Sequence, residues 1–399
     1  MYPEIYLAID NCVFYKRWTS PDAWAGVAKG LGVRYVEASA DTDLDPLYMG
    51  EGYLSDWVSQ VREAEGRHGV KVCNLYSGHG TYTVLGIAHP DSRVRGHIIE
   101  NWFYPMIRLA GELGCGLGFF AHAFEHAALQ SGDSYRKYVD ILVDGLARIN
   151  RYAGEAGCGN LGIEQMYTPH QYPWRIKDVR ELISRVKRES GRDFYFTEDV
   201  GHHSTKFMRP GKALLQGSQG SQGSQGLQGS QGLQERRGSG IWLGTDRAYS
   251  LADKYGAGAW DEIEAEMDGA GHLFSERHDG DCYETLRRLG CYSPIIHLQQ
   301  TDGTTSAHLP FTKDENEKGI INGPDLLKAL MESYGQGQGD DAGMPKKADR
   351  IYLTLEIFSG TASIMHDLLD DCRKSVEYWR QFVPQDGLGL DTLVGMLEG

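Results

Sequence analysis

The sequence lacks the features of membrane, disulfide-stabilised and nucleic-acid-binding proteins. Its apolar runs are far shorter than the ~20 residues that a membrane span needs. Its seven cysteines are scattered without a C-x-x-C pair, and their odd number is typical of free thiols in a reducing compartment. A formal net charge of −15 leaves no basic footprint for a nucleic-acid backbone. We therefore expect a cytoplasmic protein with no signal peptide, membrane anchor or nucleic-acid partner.

Short apolar runs alternate with helical segments along most of the 399 residues. The first pair is a strand at residues 4–10 and a helix that starts at Ser20-Pro21, and the last pair is a strand at 350–356 and a helix at 362–382. Eight such units predict a parallel sheet, and their number favours a (β/α)8 TIM barrel that forms a single domain over residues 1–399. A doubly wound open sheet is the alternative, but no glycine-rich phosphate loop follows the first strand.

The chain is longer than the ~250 residues of a minimal barrel, and one long segment accounts for part of the excess. Residues 203–280 follow the sixth predicted strand, and residues 217–234 consist of six Gly-Ser-Gln or Gly-Leu-Gln triplets. We interpret residues 203–280 as an insertion in the loop between the sixth strand and its helix. The repeat within it is typical of a flexible surface loop.

Four predicted strands carry an acidic residue or a histidine at their carboxyl end, where the βα loops of a barrel converge. Side-chain alternation places Glu164, His297 and Glu356 on the face towards the barrel axis. The sixth strand ends in Glu198-Asp199, and alternation alone leaves both open. We choose Asp199 because it falls on the polar side of that strand.

Two glutamates, one aspartate and one histidine form a hard oxygen and nitrogen site that suits Mn²⁺, Mg²⁺, Co²⁺ or Zn²⁺. Three carboxylates this close together repel one another unless a cation neutralises them. Such an ion can chelate a carbonyl and a neighbouring hydroxyl of a polyol and stabilise an enediolate. Glu164 and Glu356 are then the candidate catalytic base and acid.

The order of these residues on strands five to eight resembles the xylose isomerase-like barrels of the sugar isomerases and epimerases. The resemblance is strongest to the ketose 3-epimerase group, typified by tagatose and psicose epimerases. It implies that one divalent metal ion is bound by four residues, of which the first and the last exchange the substrate proton: Glu164, Asp199, His297 and Glu356. The step Asp199-Val-Gly-His202 is similar to the Asp-x-x-His of the group, which implies that His202 contacts the substrate.

In the ketose 3-epimerase group an arginine lies six residues after the histidine of the seventh strand. This chain has Gly303 at that position. The resemblance therefore implies the reaction class more firmly than the substrate. Four further residues are candidate substrate contacts, since they follow predicted strands or point with the metal ligands: Glu37, His79, His122 and Gln299.

The sequence thus predicts an isomerase, namely a metal-dependent epimerase or isomerase of a ketose or ketose phosphate. We expect it to be a homo-oligomer. One alternative is a metal-dependent hydrolase or lyase on the same barrel, such as the endonuclease IV relatives, which need more ligands and a basic groove. The other is a non-catalytic sugar-binding barrel, which would not need two opposed glutamates around a metal ion.

Overall fold

The computed structural model describes residues 2–78, 86–120, 123–203, 207–217, 241–335 and 343–398. Eight parallel strands close into a barrel, because β1 pairs with both β2 and β8, while a short ninth strand pairs antiparallel with β1. The strands are β1 Glu4–Asp10, β2 Tyr35–Ser39, β3 Lys71–Tyr76, β4 Gly116–Phe119, β5 Leu161–Glu164, β6 Tyr195–Asp199, β7 Ile295–Leu298, β8 Arg350–Leu355 and β9 Leu388–Gly389. The closure confirms the predicted TIM barrel and excludes the open sheet.

Helices follow the barrel strands. They are α1 Pro21–Gly30, α2 Ala40–Asp43, α3 Glu51–His68, α4 Ser92–Ile98, α5 Tyr104–Leu113, α6 His126–Leu129, α7 Gly132–Glu155, α8 Ile176–Ser190, α9 Lys212–Gly217, α10 Asp246–Tyr255, α11 Trp260–Gly269, α12 Cys282–Leu289, α13 Lys313–Lys318, α14 Gly323–Gly335, α15 Met365–Arg380 and α16 Leu390–Glu398. Within the described residues, none of these helices has both the length and the apolar composition needed to cross a lipid bilayer.

The local sequence explains where these helices begin and end. Ser20 accepts a hydrogen bond from the backbone N–H of Ala23 at 3.4 Å, and Pro21 occupies the first helical position of α1. Gly69 ends α3 with a φ of +69°, a left-handed conformation that costs a residue with a Cβ more than it costs glycine. The helix start predicted at Ser20-Pro21 is therefore observed.

Alternation along the strands separates the hydrophobic core from the barrel interior. Leu353 and Leu355 of β8 are fully buried in the hydrophobic core. Tyr352, which lies between Ile351 and Leu353, contacts the rings of Tyr6 and Tyr35, with ring centroids 5.1 and 5.4 Å away. Since those rings come from β1 and β2, the even-numbered side chains of β8 point inward. The same alternation carries the residues that follow towards the mouth of the barrel.

The connection between β6 and β7 contains α9 to α12, and its described part packs on the barrel. Arg175 forms a buried ion pair with Asp178 of α8, 2.8 Å apart, and its Nη1 donates to the carbonyls of Gly271 and Phe274 at 3.1 Å. The guanidinium thus ties the end of the insertion to α8. The repeat predicted at residues 217–234 lies outside the described residues except at its first position.

All seven cysteines are free thiols, and six of them are buried. Burial is the main cause that raises the pKa of the Cys158 thiol to about 11 and that of Cys372 to about 12. These thiols remain protonated at neutral pH, which makes them weak nucleophiles.

Asp43 is a buried carboxylate that links two helices of the barrel. Its Oδ2 accepts hydrogen bonds from the indole N–H of Trp24 in α1 at 3.0 Å and of Trp57 in α3 at 2.9 Å. Burial raises the pKa of Asp43 from its ordinary 3.8 to about 6, against the lowering effect of the two indoles. The folded state therefore keeps a proton that the unfolded chain loses between these pH values. The stability that the Asp43 carboxyl contributes is fully present below its pKa in the unfolded chain and is lost as the pH rises through about 6.

Asp43→Asn should remove this pH dependence. Since one pKa unit corresponds to about 1.4 kcal/mol and the unfolded carboxyl is already partly ionised at pH 4, the free energy of unfolding of the variant should improve relative to wild type by roughly 2 kcal/mol between pH 4 and pH 8. Urea unfolding of both proteins at the two pH values measures the difference. Asp261→Asn, at an exposed position of α11, is the matched control. A difference that stays constant with pH would contradict the assignment.

Candidate metal site at the carboxyl end of the barrel

Four side chains from consecutive strands meet at the carboxyl end of the barrel. Each offers one ligand atom, all of these atoms lie within 4.8 Å of one another, and all four residues are buried: Glu164, Asp199, His297 and Glu356. The strand register explains the convergence, since Asp199 lies beside His297 and His297 lies beside Thr354, two residues before Glu356. The cluster has the donor set and burial of a site that can hold a metal ion.

His297 occupies the centre of this cluster and is oriented by Glu37 from β2. Its Nε2 donates to Glu37 Oε2 at 2.8 Å, so Nδ1 is the nitrogen without a proton once the ring is neutral, the form in which histidine binds a metal ion. Nδ1 lies 3.1 Å from Glu164 Oε1 and 3.3 Å from Glu356 Oε2. A histidine whose outer N–H is held by a carboxylate while its other nitrogen faces further acidic groups is the arrangement found around metal ligands.

The buried charges of the cluster perturb one another strongly. Burial lowers the pKa of His297, but the negative charges of Glu356 and Glu37 outweigh burial and raise it well above the usual value. Burial and the charge of Glu356 raise the pKa of Asp199 despite the neighbouring His202. Glu356 Oε2 is buried and makes no well-aligned hydrogen bond within the described residues, but Nδ1 of His297 and Nδ1 of His308 each lie 3.3 Å from it. A bound cation would satisfy this oxygen and offset the repulsion between the carboxylates.

Gln299 and Gly201 hold Asp199 from behind. Gln299 Nε2 donates to Asp199 Oδ1 at 2.8 Å and to Oδ2 at 2.9 Å, and the backbone N–H of Gly201 donates to Oδ1 at 2.7 Å. A Cβ at position 201 would lie 2.2 Å from the amide carbon of Gln299, so only glycine leaves room for this amide. Gln299 is fully buried and contacts Asp199, whereas the sequence placed it among the substrate contacts.

The structure distinguishes the two acidic residues at the end of β6. Glu198 points away from the cluster, and its Oε1 accepts from Nε2 of His203 at 2.8 Å. His203 Nδ1 in turn donates to the carbonyl of Asp279 at 3.1 Å, which ties the insertion to β6. Asp199 is therefore the residue of this pair that faces the barrel axis.

A cavity of about 200 Å³ opens above the cluster. Its lining residues are Tyr76, Gly78, Glu164, Met166, Tyr167, His202, Ser306, Ala307, His308, Glu356 and Phe358. Of the predicted substrate contacts, His202 is in the wall, whereas Glu37 is fully buried beneath His297 and does not line the cavity. His79 and His122 lie outside the described residues.

Two residues of the cavity wall that contact the four-residue cluster, Tyr76 and His308, were not among the predicted site residues. The Tyr76 hydroxyl donates a short hydrogen bond to Glu164 Oε2, and its ring packs edge-on against His297 with centroids 4.9 Å apart. Tyr76 is the last residue of β3, so the strand-end rule that found the four ligands could also have found it. His308 lies in the long loop after β7, so the strand-end rule does not predict it.

Comparison with known proteins supports the fold. A family model described as a xylose isomerase-like TIM barrel matches residues 26–210. A D-tagatose 3-epimerase-like protein superposes with a TM-score of 0.54 at 14% identity, over 99% of this chain and 100% of that one. An L-ribulose 3-epimerase gives 0.52 at 14%, over 99% and 97%. A D-allulose 3-epimerase from Methylomonas sp., in complex with D-allulose, gives 0.54 at 12%, over 95% and 98%.

These matches confirm the predicted resemblance to the xylose isomerase-like barrels. No curated protein sequence matches the chain significantly. At identities of 12–14%, the structural neighbours establish the fold and leave the activity to be argued from the site.

Glu37→Gln tests the support that β2 gives to the cluster. The amide removes the negative charge behind His297, and loss of such an outer partner typically weakens metal binding by about 10- to 100-fold. Titration calorimetry with Mn²⁺ after chelation measures the change. Glu63→Gln, at an exposed position of α3, should bind as wild type does, and an unchanged affinity in Glu37→Gln would contradict this role.

Proposed function

We propose that this xylose isomerase-like barrel is a divalent-metal-dependent epimerase or isomerase of a ketose or ketose phosphate. The observation that carries the proposal is the placement of Glu164 and Glu356. Both carboxylates line the same small cavity, and both lie within 3.3 Å of the inward-facing nitrogen of His297. They come from β5 and from the end of β8, so a ligand between them is contacted from two sides.

The proposed ligands of the metal ion are Glu164, Asp199, His297 and Glu356. A divalent cation held there supplies electrostatic stabilisation for the negative charge that develops when a carbon beside a carbonyl loses its proton. Mn²⁺, Mg²⁺, Co²⁺ and Zn²⁺ are all compatible with three carboxylates and one imidazole. Mn²⁺ and Mg²⁺ fit best, because oxygen donors predominate.

The two glutamates perform the proton transfers in this proposal. Glu164 removes the proton from the carbon beside the carbonyl. Glu356, whose pKa the charges of His297 and His308 hold well below its usual value against the effect of burial, must first take up a proton from solvent, and it then delivers that proton to the opposite face, which inverts the carbon. The Tyr76 hydroxyl holds Oε2 of Glu164 and fixes the orientation of the carboxylate. His202 in the cavity wall is placed to hydrogen-bond a substrate hydroxyl.

The cavity limits the size and the polarity of the substrate. Its volume of about 200 Å³ suits a monosaccharide, and its described wall contains neither lysine nor arginine. Phe358, Met166 and Tyr167 supply apolar surface that excludes water from the reacting carbon. Among the substrates proposed, this wall favours a free ketose over a ketose phosphate, whose anion would need a cationic partner.

Glu356→Gln tests the proposed reaction directly. The amide cannot accept or donate the transferred proton, so exchange of the substrate α-proton with deuterated water should fall by roughly 10²- to 10⁴-fold. NMR across tetruloses, pentuloses, hexuloses and their phosphates measures exchange even where the product is unexpected. Glu63→Gln serves as the matched control, and the thermal unfolding of each variant reports whether the fold is retained.

Retained exchange in Glu356→Gln would remove Glu356 from the acid–base role. Failure of the wild-type protein, loaded with Mn²⁺, to exchange any of these sugars would overturn the epimerase proposal. Metal binding with no exchange would then favour a metal-dependent hydrolase or lyase, whereas the absence of metal binding would favour the non-catalytic sugar-binding barrel.

A further inference from the structure

We propose that a doubly protonated His203 holds the insertion at residues 203–280 on the barrel, and that this attachment weakens when the ring loses a proton at alkaline pH. His203 lies between Glu198 of β6 and Asp279 near the end of the insertion. It directly follows His202, whose side chain lines the cavity, so the attachment adjoins the candidate site. The proposal concerns how the insertion docks, and it does not depend on the sugar reaction proposed above.

Both ring nitrogens of His203 face oxygen atoms. Its Nε2 lies 2.8 Å from Glu198 Oε1, and its Nδ1 lies 3.1 Å from the carbonyl oxygen of Asp279. A carbonyl oxygen only accepts hydrogen bonds, and so does an ionised carboxylate, so each nitrogen needs a proton if both bonds are to form. A ring with two protons carries a positive charge, which the negative charge of Glu198 offsets. The geometry therefore favours an imidazolium between the strand and the insertion.

This ion pair is shielded from water. The side chains of His203 and Glu198 are 3% and 0% exposed. Burial lowers the pKa of His203, but the charge of Glu198 and the hydrogen bonds to Glu198 and to the Asp279 carbonyl outweigh burial and raise this pKa above its usual value of 6.5. Removal of one partner from a buried ion pair is strongly destabilising, because the other charge is left uncompensated. The fold therefore favours the protonated ring.

Other charged and titratable groups surround the pair. The Asp279 carboxylate accepts from the backbone N–H of Ile176 at 2.9 Å and of Glu276 at 2.8 Å, so the carbonyl of Asp279 is the group that faces the ring. The charge of Asp199 adds to the rise in the pKa of His203. The other titratable neighbours of Glu198 and Asp279 are Arg175, His202, His278 and Cys282.

Loss of one ring proton removes the bond to the insertion. The charge of Glu198 retains the remaining proton on Nε2, so Nδ1 then directs a lone pair at the Asp279 carbonyl, and two acceptors 3.1 Å apart repel. Because the pKa of His203 is raised in the folded state, the stability that this proton contributes is fully present below the pKa of an unfolded histidine. It is lost as the pH rises through the raised value. Docking therefore weakens on the alkaline side of neutral pH.

The loosening is expected at the end of the insertion. The guanidinium of Arg175 stays charged across this pH range, and its bonds to the carbonyls of Gly271 and Phe274 hold the residues before the attachment. Several backbone N–H groups of residues 275–281 make hydrogen bonds within the fold. Their exchange with solvent therefore measures how firmly this end of the insertion is docked.

NMR of the full chain, labelled with ¹⁵N-histidine, tests the protonation of His203. Long-range proton–nitrogen spectra distinguish protonated from unprotonated ring nitrogens, and the signals that disappear in His203→Gln identify His203. Both nitrogens of His203 should be protonated at pH 7, and Nδ1 should lose its proton at a higher pH than the exposed histidines do. An unprotonated ring nitrogen of His203 at pH 7 would overturn the proposal.

Hydrogen exchange followed by mass spectrometry tests the consequence for the insertion. The glutamine of His203→Gln donates from one end of its amide only, so residues 275–281 should exchange roughly 10-fold faster than in wild type at pH 7. The difference should shrink as the pH is raised towards 10, because wild type then loses the same bond. Comparison of the two proteins at each pH cancels the intrinsic pH dependence of exchange.

His366→Gln, at an exposed position of α15, is the matched control and should exchange as wild type does. Equal exchange of residues 275–281 in His203→Gln and wild type at pH 7, or a difference that stays constant up to pH 10, would overturn the attachment. If His203→Gln does not fold, wild type alone decides. Exchange of residues 275–281 should then accelerate with pH more steeply than that of residues 177–189 in α8, and a constant ratio would overturn the proposal. Neither measurement involves a sugar, so failure of the epimerase proposal leaves both results unchanged.

Discussion

The hydrogen bond from His297 to Glu37 is the interaction on which the candidate site depends. It spans the barrel from β7 to β2 and fixes the one imidazole that three acidic side chains surround. If this ring rotated, its Nδ1 would leave Glu164 and Glu356, and the carboxylates would face one another without the imidazole between them. Because both partners are fully buried, their desolvation is repaid only when the pair is intact.

Three of the four cluster residues each have a hydrogen-bond partner in the layer beneath or beside them. Gln299 holds Asp199, Tyr76 holds Glu164, and Glu37 holds His297. The cavity is therefore lined by side chains whose directions are fixed before a ligand arrives, which reduces the reorganisation that binding requires. The parallel strands bring these side chains together, and buried polar contacts across the barrel then fix their orientations.

Strand alternation explains why the sequence was sufficient for much of this. It placed Glu164, His297 and Glu356 on one side, because the period of two is a property of each strand alone. It left Glu198 and Asp199 open, and the choice depended on the polarity of their neighbours. The pairing of Glu198 with His203 shows the outer environment that alternation could not describe.

Contacts between distant strands and the paths of loops were not predictable in the same way. The sequence identifies Glu37 and Gln299 as polar residues near the mouth of the barrel. Whether such a residue contacts the substrate or one of the metal-binding side chains depends on how deep in the barrel it lies. His308 comes from a loop whose path is set by an antiparallel bridge just after β7, where Gln300 and Leu309 exchange backbone hydrogen bonds. No local pattern encodes that return.

The space beside Gly201 has an evolutionary consequence. Gln299 fills the volume that any side chain at position 201 would need, and the same amide also accepts the backbone N–H of His308. Displacement of Gln299 would therefore remove hydrogen bonds from Asp199 and from His308 at the same time. A side chain at position 201 is excluded while Gln299 stays, so we expect lineages of this barrel that keep the glutamine to keep the glycine as well.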